Sequence, residues 1–356
     1  MKNPFKFGTV VEDEYFTDRI KETQYIRQSL DSENHLILIS PRRFGKSSVV
    51  LKAVKQSKYP YLMLNLQKVV STEDFAAQLL KEVFRLRPFE RIRHLMSHFR
   101  IIPTMSVNPM TDGVEVSFQP TVDNRVLLED AMSLLEKVGS DMGKLVVILD
   151  EFQEIRVIDK NLDKQLRSIM QLQHNLNYVI LGSQESMMTE IFERKKSPFY
   201  HFGTLMHLSK IPYDDFFAYV SERISPILGS DGEMVAQEIL LYTSCHPYYT
   251  QQLASQVWQL AYYEEVRQDL VAQAVERLVT VHDLDFERLW LGFNRMDKRI
   301  MQMLCRNKNP LQDKSLPTST AYSAVKRLVK MGYVVRTERY ELEDPFFKRW
   351  INARQM

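Results

Sequence analysis

The chain has 356 residues, 44% of them hydrophobic and 26% charged, with a formal net charge of only +2. That balance suits a soluble protein of two or three domains and excludes binding to nucleic acid by bulk charge, so any such role must come from a local patch. Cys245 and Cys305, the two cysteines, exclude a disulfide framework or a zinc cluster. No stretch approaches the ~18 apolar residues of a membrane span, and the N-terminal MKNPFKFGTVVEDEYF lacks an apolar signal region, so a cytoplasmic protein is expected.

Residues 1–16 read as irregular. Thr17 or Asp18 then caps a helix through Leu30, with Ile20, Ile26 and Leu30 on its buried face. The apolar run from His35 to Ile39 predicts a buried parallel strand. A loop follows, Ser40-Pro41-Arg42-Arg43-Phe44-Gly45, and then Lys46-Ser47-Ser48 opens a helix carrying Val49, Val50, Ala53 and Val54. Strand, loop and helix form the Walker A pattern G-x-x-x-x-G-K-[ST], with Ser40 where the first glycine usually stands. The residues from Ser40 to Ser48 are the expected phosphate cradle, built from inward backbone N–H groups and the positive end of the helix. Lys46 is expected to reach the β- and γ-phosphates, and the Ser47 hydroxyl to ligate Mg²⁺. Ser40 is strained if its position needs positive φ, and harmless if it is extended.

Tyr61 to Leu66 reads as the second strand, and Ser71 caps a helix with Phe75, Leu79, Leu80, Val83 and Phe84. Residues 101–119 alternate around a turn and predict a β-hairpin insertion, either decoration or a partner-binding element. A helix over 123–138 leads to Leu145–Leu149, a buried strand ending in Asp150-Glu151. This is a Walker B strand: Asp150 is expected to hold Mg²⁺, and Glu151 to orient and polarise the attacking water. A helix from Leu162 to Leu176 precedes the strand Tyr178–Leu181, at whose tip Ser183, or else Gln184, can contact the γ-phosphate or the water. A short strand, Leu205 to Leu208, completes a five-stranded parallel sheet.

Residues 213–292 carry helical patterns only, over 214–227, 233–243, 247–263 and 269–281, and predict an all-helical lid. Within it, His246-Pro247 opens a helix whose N-terminus can face a nucleotide. From Arg295 onward, fourteen Lys or Arg stand against six Asp or Glu, a net of +8 that leaves −6 for the other residues. Helices over 297–304 and 318–331 and a turn at Glu338-Arg339 make a winged helix-turn-helix pattern over 293–356. Lys326, Arg327, Lys330, Arg336 and Arg339 are its candidate phosphate contacts for double-stranded DNA, and a protein-docking role is the alternative.

In PRRFGKSS, VVILDEFQE, the strand tip LGSQESMM, His246-Pro247 and the final YELEDPFFKRW, the chain resembles the prokaryotic or archaeal-type ATPases, grouped with the STAND branch of the AAA+ superfamily. The resemblance implies a P-loop ATPase domain over 1–212, with the lid and winged helix behind it. It places Ser183 at the sensor 1 position, and Phe16-Thr17-Asp18-Arg19 with Glu22 at the linker that packs near the adenine. His246-Pro247 replaces the lid arginine of ordinary AAA+ proteins. One departure stands out: the leucine-tyrosine-glycine-arginine run that the family often carries is Phe199-Tyr200-His201-Phe202 here, so its arginine is missing; Arg194, Lys195 and Lys196 just upstream are either substitutes for it or a solvated helix end. The expected activity is ATP hydrolysis with Mg²⁺, Lys46, Glu151 and Ser183 acting at the phosphates, in a nucleotide-dependent switch that acts on DNA. The alternative is a slow, nucleotide-gated scaffold for a protein partner.

Overall fold

Continuous apolar runs become the central strands, because strands covered on both faces have no polar side to show. A computed structural model describes residues 1–11, 13–87, 93–96, 100, 104–108, 113–117, 123–313, 315–336 and 339–354. The chain forms two compact units, one of residues 20–40 and 49–208, the other of residues 1–19, 41–48 and 209–356.

The first unit holds a five-stranded parallel sheet. Its strands are β1 (Leu36–Ile39), β2 (Tyr61–Asn65), β5 (Leu145–Asp150), β6 (Leu176–Gly182) and β7 (Thr204–His207), in the order β2-β5-β6-β1-β7. Every residue of β1, β5 and β6 is buried, while the edge strand β2 alternates and β7 is largely open. The register sets Asn65 beside Asp150 and Ile39 beside Gly182. The carboxyl ends of the parallel strands thus share one edge, where Ser40, Asp150 and Ser183 emerge.

The helices α1 (Ile20–Asp31), α2 (Lys46–Ser57), α3 (Thr72–Leu86), α4 (Asn124–Asp141), α5 (Leu162–Met170) and α6 (Glu185–Phe192) supply its apolar cover. Ser71 caps α3 by accepting from the Asp74 N–H at 3.1 Å, as its sequence position predicts. Strands β3 (Thr104–Asn108) and β4 (Gly113–Ser117) pair antiparallel as the expected hairpin, whose turn at 109–112 and flanks at 101–103 and 118–119 lie outside the described residues. Two local expectations are corrected. Ile20 is 70% exposed: it is the first residue of α1, and the buried side chain of that first turn is Thr23. The helix expected to reach Leu176 stops at Met170, where Gln173, His174 and Asn175 turn to bond Met132 O and the Glu136 carboxylate of α4.

The second unit is helical: α7 (Tyr213–Leu228), α8 (Gly232–Thr243), α9 (Pro247–Tyr263), α10 (Leu270–Val281), α11 (Asp283–Gly292), α12 (Arg295–Cys305), α13 (Thr318–Lys330) and α14 (Pro345–Ala353). A two-stranded hairpin, β8 (Val334–Arg336) with β9 (Tyr340–Leu342), stands between α13 and α14. One apolar core runs from Phe216, Tyr249 and Trp258 through Ile300 and Leu328 to Phe346 and Trp350, and Phe5 of the N-terminal segment joins it. The boundary expected at 292/293 falls between α11 and α12, inside that shared core. Among the described residues no helix is long and apolar enough to cross a membrane.

Candidate functional site

The phosphate loop is shaped by its backbone. Gly45 has φ +85°, which only glycine adopts without strain, whereas Ser40 lies outside the positive-φ region and tolerates its side chain. Arg43 is left-handed, at φ 65°. Lys46 is 6% exposed and donates to the Pro41 carbonyl at 2.9 Å. Ser48 Oγ accepts from the Val11 N–H at 3.0 Å. Arg19 is buried and fastens the loop from outside, donating to the carbonyls of Phe44 at 3.3 Å and Ser209 at 2.7 Å. The buried Phe44 ring meets the His246 ring edge-on, with centroids 4.8 Å apart.

His246 is the N-cap of α9 and Pro247 opens it, as the sequence predicts; His246 Nδ1 accepts from the Tyr248 N–H at 3.2 Å. Burial lowers the proton affinity of His246 and outweighs the opposing pull of Glu343, whose Oε1 lies 3.4 Å from Nε2. Glu343 follows directly after β9. Its Oε2 accepts from the Tyr249 hydroxyl at 2.5 Å, and that hydroxyl accepts from Arg43 Nη1 at 2.9 Å. The Arg43 guanidinium also covers the Tyr248 ring at 4.6 Å. Arg42, Arg43, Tyr249 and Glu343 face a cavity of about 450 Å³.

At the sheet edge, Asp150 is 7% exposed and its Oδ1 accepts from the Glu151 N–H at 2.9 Å. Glu151 is left-handed (φ 55°, ψ 46°). Its Oε2 accepts from Ser183 Oγ at 2.5 Å and from Gln153 Nε2 at 2.5 Å. Ser183, expected at the γ-phosphate or the water, is thus bonded to the carboxylate expected to orient that water. Among the described residues no three or more His, Cys, Asp or Glu gather to hold a metal. The donors that the motifs offer, a serine hydroxyl and a carboxylate, are oxygens only and fit a hard cation such as Mg²⁺.

Phe202 stands where the resemblance leads to the expectation of an arginine. Phe202 is buried, 5.1 Å from the Phe199 ring and stacked on His35 at 4.5 Å. Of the proposed substitutes, Arg194 pairs with Glu190 at 3.1 Å, and Lys195 and Lys196 are exposed.

The candidate DNA contacts separate. Lys326 and Lys330 are exposed on α13, and Arg336 and Arg339 on the hairpin. Arg327 instead pairs with the buried Asp297, with 2.5 Å between Nη2 and Oδ1. The C-terminal basic excess is also partly met within its own unit. Arg349 pairs with Glu276 at 2.7 Å, and Arg354 with Glu287 at 3.0 Å and Asp283 at 3.2 Å.

Gln153, Tyr249 and Glu343 are site residues that sequence reasoning did not assign. A glutamine two places after the Walker B glutamate was the one local signal for the first.

A parallel five-stranded sheet with a phosphate loop after β1 and an Asp-Glu pair at the end of β5 is the fold of a P-loop ATPase. Residues 16–218 match the family model for the ATPase domain found predominantly in Archaea, and the chain belongs to that family. The Walker-type ATPase PABY2304 of Pyrococcus abyssi is similar over 95% of this chain and 97% of that one, at 18% identity and a TM-score of 0.67. The Aeropyrum pernix ORC1 protein, solved in complex with DNA, is similar over 96% of this chain and 95% of its own, at 12% identity and a TM-score of 0.53. The Aeropyrum pernix ORC2 protein, solved with ADPNP and ADP, is similar over 99% of both chains, at 13% identity and a TM-score of 0.52. These likenesses establish the fold. Comparison with curated protein sequences gives no significant match.

Proposed function

We propose that this ATPase is a nucleotide-dependent switch in which the state of the phosphate loop is passed to the C-terminal helices and hairpin. The observation that carries this reading is the bonded chain Arg43–Tyr249–Glu343, which ties a phosphate-loop side chain to the residue that closes β9. In this reading Lys46 and the loop backbone from Ser40 to Ser48 hold the β- and γ-phosphates, with His246 and Pro247 presenting the start of α9 to the nucleotide. Ser47 and Asp150 are the oxygen donors for Mg²⁺, which supplies charge neutralisation at the phosphates. Glu151 orients the water.

Double-stranded DNA is the partner proposed for the far end. Lys326, Lys330, Arg336 and Arg339 are exposed there, and the similar ORC1 protein was solved with DNA. A slower, scaffold-like timer is favoured by one specific observation, the burial of Phe202 at the position where the resemblance leads to the expectation of an arginine. Tightly retained ADP after purification, with low turnover, would favour the timer; an empty site with DNA-stimulated turnover would favour the DNA-dependent enzyme.

Hydrogen exchange over residues 340–347, with and without ATP, tests the switch. ATP should change protection there in Glu151→Gln, which binds without hydrolysing, and the change should vanish when Tyr249→Phe is added. Lys46→Ala should show no response because it does not bind. An undiminished response in the Tyr249→Phe protein would overturn the proposed route.

A further inference from the structure

We infer that Gln153 is a positioning residue for hydrolysis: it fixes one oxygen of the Glu151 carboxylate and leaves the other to the attacking water. The inference deepens the reading above and rests on Glu151 as the group that orients the water.

The backbone brings the two side chains together. After Asp150 the chain turns at left-handed Glu151 into the helical turn Phe152–Glu154. Gln153 is 0% exposed. Its Nε2 lies 2.5 Å from Glu151 Oε2 and 3.4 Å from Ser183 Oγ, and Ser183 Oγ lies 2.5 Å from the same carboxylate oxygen.

The hydrogens can be assigned. An ionised carboxylate only accepts, so the single Ser183 hydroxyl hydrogen goes to Glu151. The two amide hydrogens of Gln153 then go to Glu151 Oε2 and to Ser183 Oγ. Turning the amide over would press its oxygen against the carboxylate, so the nitrogen must face Glu151. The opposite end bears the cost: Gln153 Oε1 is buried with no hydrogen-bond partner. A side chain kept for packing alone would be better as leucine or methionine, which leave no buried acceptor unmet. The amide is explained by what its nitrogen holds.

Both donors fall on Oε2, so Oε1 keeps its lone pairs for water. In the reaction the water oxygen bonds to the γ-phosphorus as the bond from phosphorus to the β–γ bridging oxygen breaks. ADP leaves with that electron pair, and the water proton, directed by Oε1, passes to phosphate or solvent. A carboxylate already fixed in rotation spends no orientational entropy at that moment.

Steady-state ATPase kinetics of the full chain test this. Gln153→Leu should lower kcat about tenfold, within the range of general-base effects, with KM for ATP within about twofold of the parent. Gln153→Glu replaces the donor with an oxygen set against Oε2 and should lower kcat at least as far as Gln153→Leu, again with KM for ATP within about twofold of the parent. Gln153→Leu added to Glu151→Gln should cause no further loss, because a residue acting through Glu151 has nothing left to position. Parent kcat in Gln153→Leu, a rise in KM alone, or a further loss in the double variant would each overturn the inference. If Gln153→Leu does not fold, Gln153→Glu carries the test, and parent kcat in it overturns the inference. Glu151→Gln separates the two levels. If it hydrolyses ATP at the parent rate, the reading of Glu151 fails first; if it is inactive while Gln153→Leu is not, only the role of Gln153 falls.

Discussion

Arg327 reaches back from α13 to the carboxylate of Asp297, with 2.5 Å from Nη2 to Oδ1 and 3.2 Å from Nε to Oδ2. Asp297 is 3% exposed and lies in the first turn of α12. The pair therefore locks two helices together, and the guanidinium is occupied within the fold. Arg327→Ala strands a buried carboxylate and should cost about 1–3 kcal/mol, below the range for fully buried pairs because Arg327 itself is partly exposed. Urea denaturation checks this. A variant as stable as the parent would show that the pair contributes nothing.

Lys326 and Lys330 on the same helix should behave in the opposite way. Neutralising both should leave the fold within about half a kcal/mol of the parent. If the chain binds DNA, the same change should weaken binding at all sequences alike and flatten the slope of log K against log salt by roughly 0.9 for each phosphate no longer neutralised. A gel-shift titration of the full chain, in each nucleotide state and at low salt, reads this. Absence of binding throughout would leave protein docking as the role of this region.

His35 should make the sheet unit sensitive to mild acid. Burial first, then the charges of Arg167 and Lys144, lower its pKa from 6.5 to about 4. The folded state keeps it neutral while the unfolded state protonates, so the stability it supplies is full above pH 6.5. That stability is lost as pH falls toward 4, by about 2–3 kcal/mol in all. Its Nδ1 accepts from the Tyr178 N–H at 3.2 Å, a role that an asparagine oxygen can take. His35→Asn should flatten the dependence between pH 6.5 and 4, measured as the difference from the parent at each pH.

Asp344 should act with the opposite sign in the helical unit. Burial, with some help from neighbouring Glu343, raises its pKa from 3.8 to about 6, against the two N–H groups of Phe346 and Phe347 that it caps. The folded state therefore holds its proton more tightly than the unfolded state does. Its destabilising effect is full above pH 6 and fades as pH falls toward 4, by about 2–3 kcal/mol in all. Asp344→Asn keeps a capping oxygen and loses the charge. It should be at least as stable as the parent at pH 7.5 and lose this pH dependence, as thermal melts across that range would show.

Strands β1, β5 and β6 were legible because burial on both faces writes an unbroken apolar run, and the phosphate loop because strand, turn and helix follow within a few residues. What was not legible depends on partners distant in sequence. Arg19 carries no local sign that its guanidinium serves the carbonyls of Phe44 and Ser209. Periodicity alone put Ile20 inside, yet the helix begins at Ile20 and the buried side chain is that of Arg19. Tyr249 and Glu343 are 94 residues apart and meet only once α9 and the hairpin have packed. The C-terminal charge excess was visible, but not the ion pairs with Glu276, Asp283 and Glu287 that partly satisfy it.

The bonds of Arg19 and Tyr249 to the phosphate loop, and of Glu343 to Tyr249, have a bearing on synthesis. The loop lies within the first fifty residues of the sequence, yet Ser209, Tyr249 and Glu343 leave the ribosome far later. Domains generally condense in the order in which they are made. A nascent chain therefore carries its Walker A residues long before their full set of neighbours exists. A product truncated before Glu343 keeps Arg43 and Tyr249 but lacks the carboxylate that accepts from the Tyr249 hydroxyl.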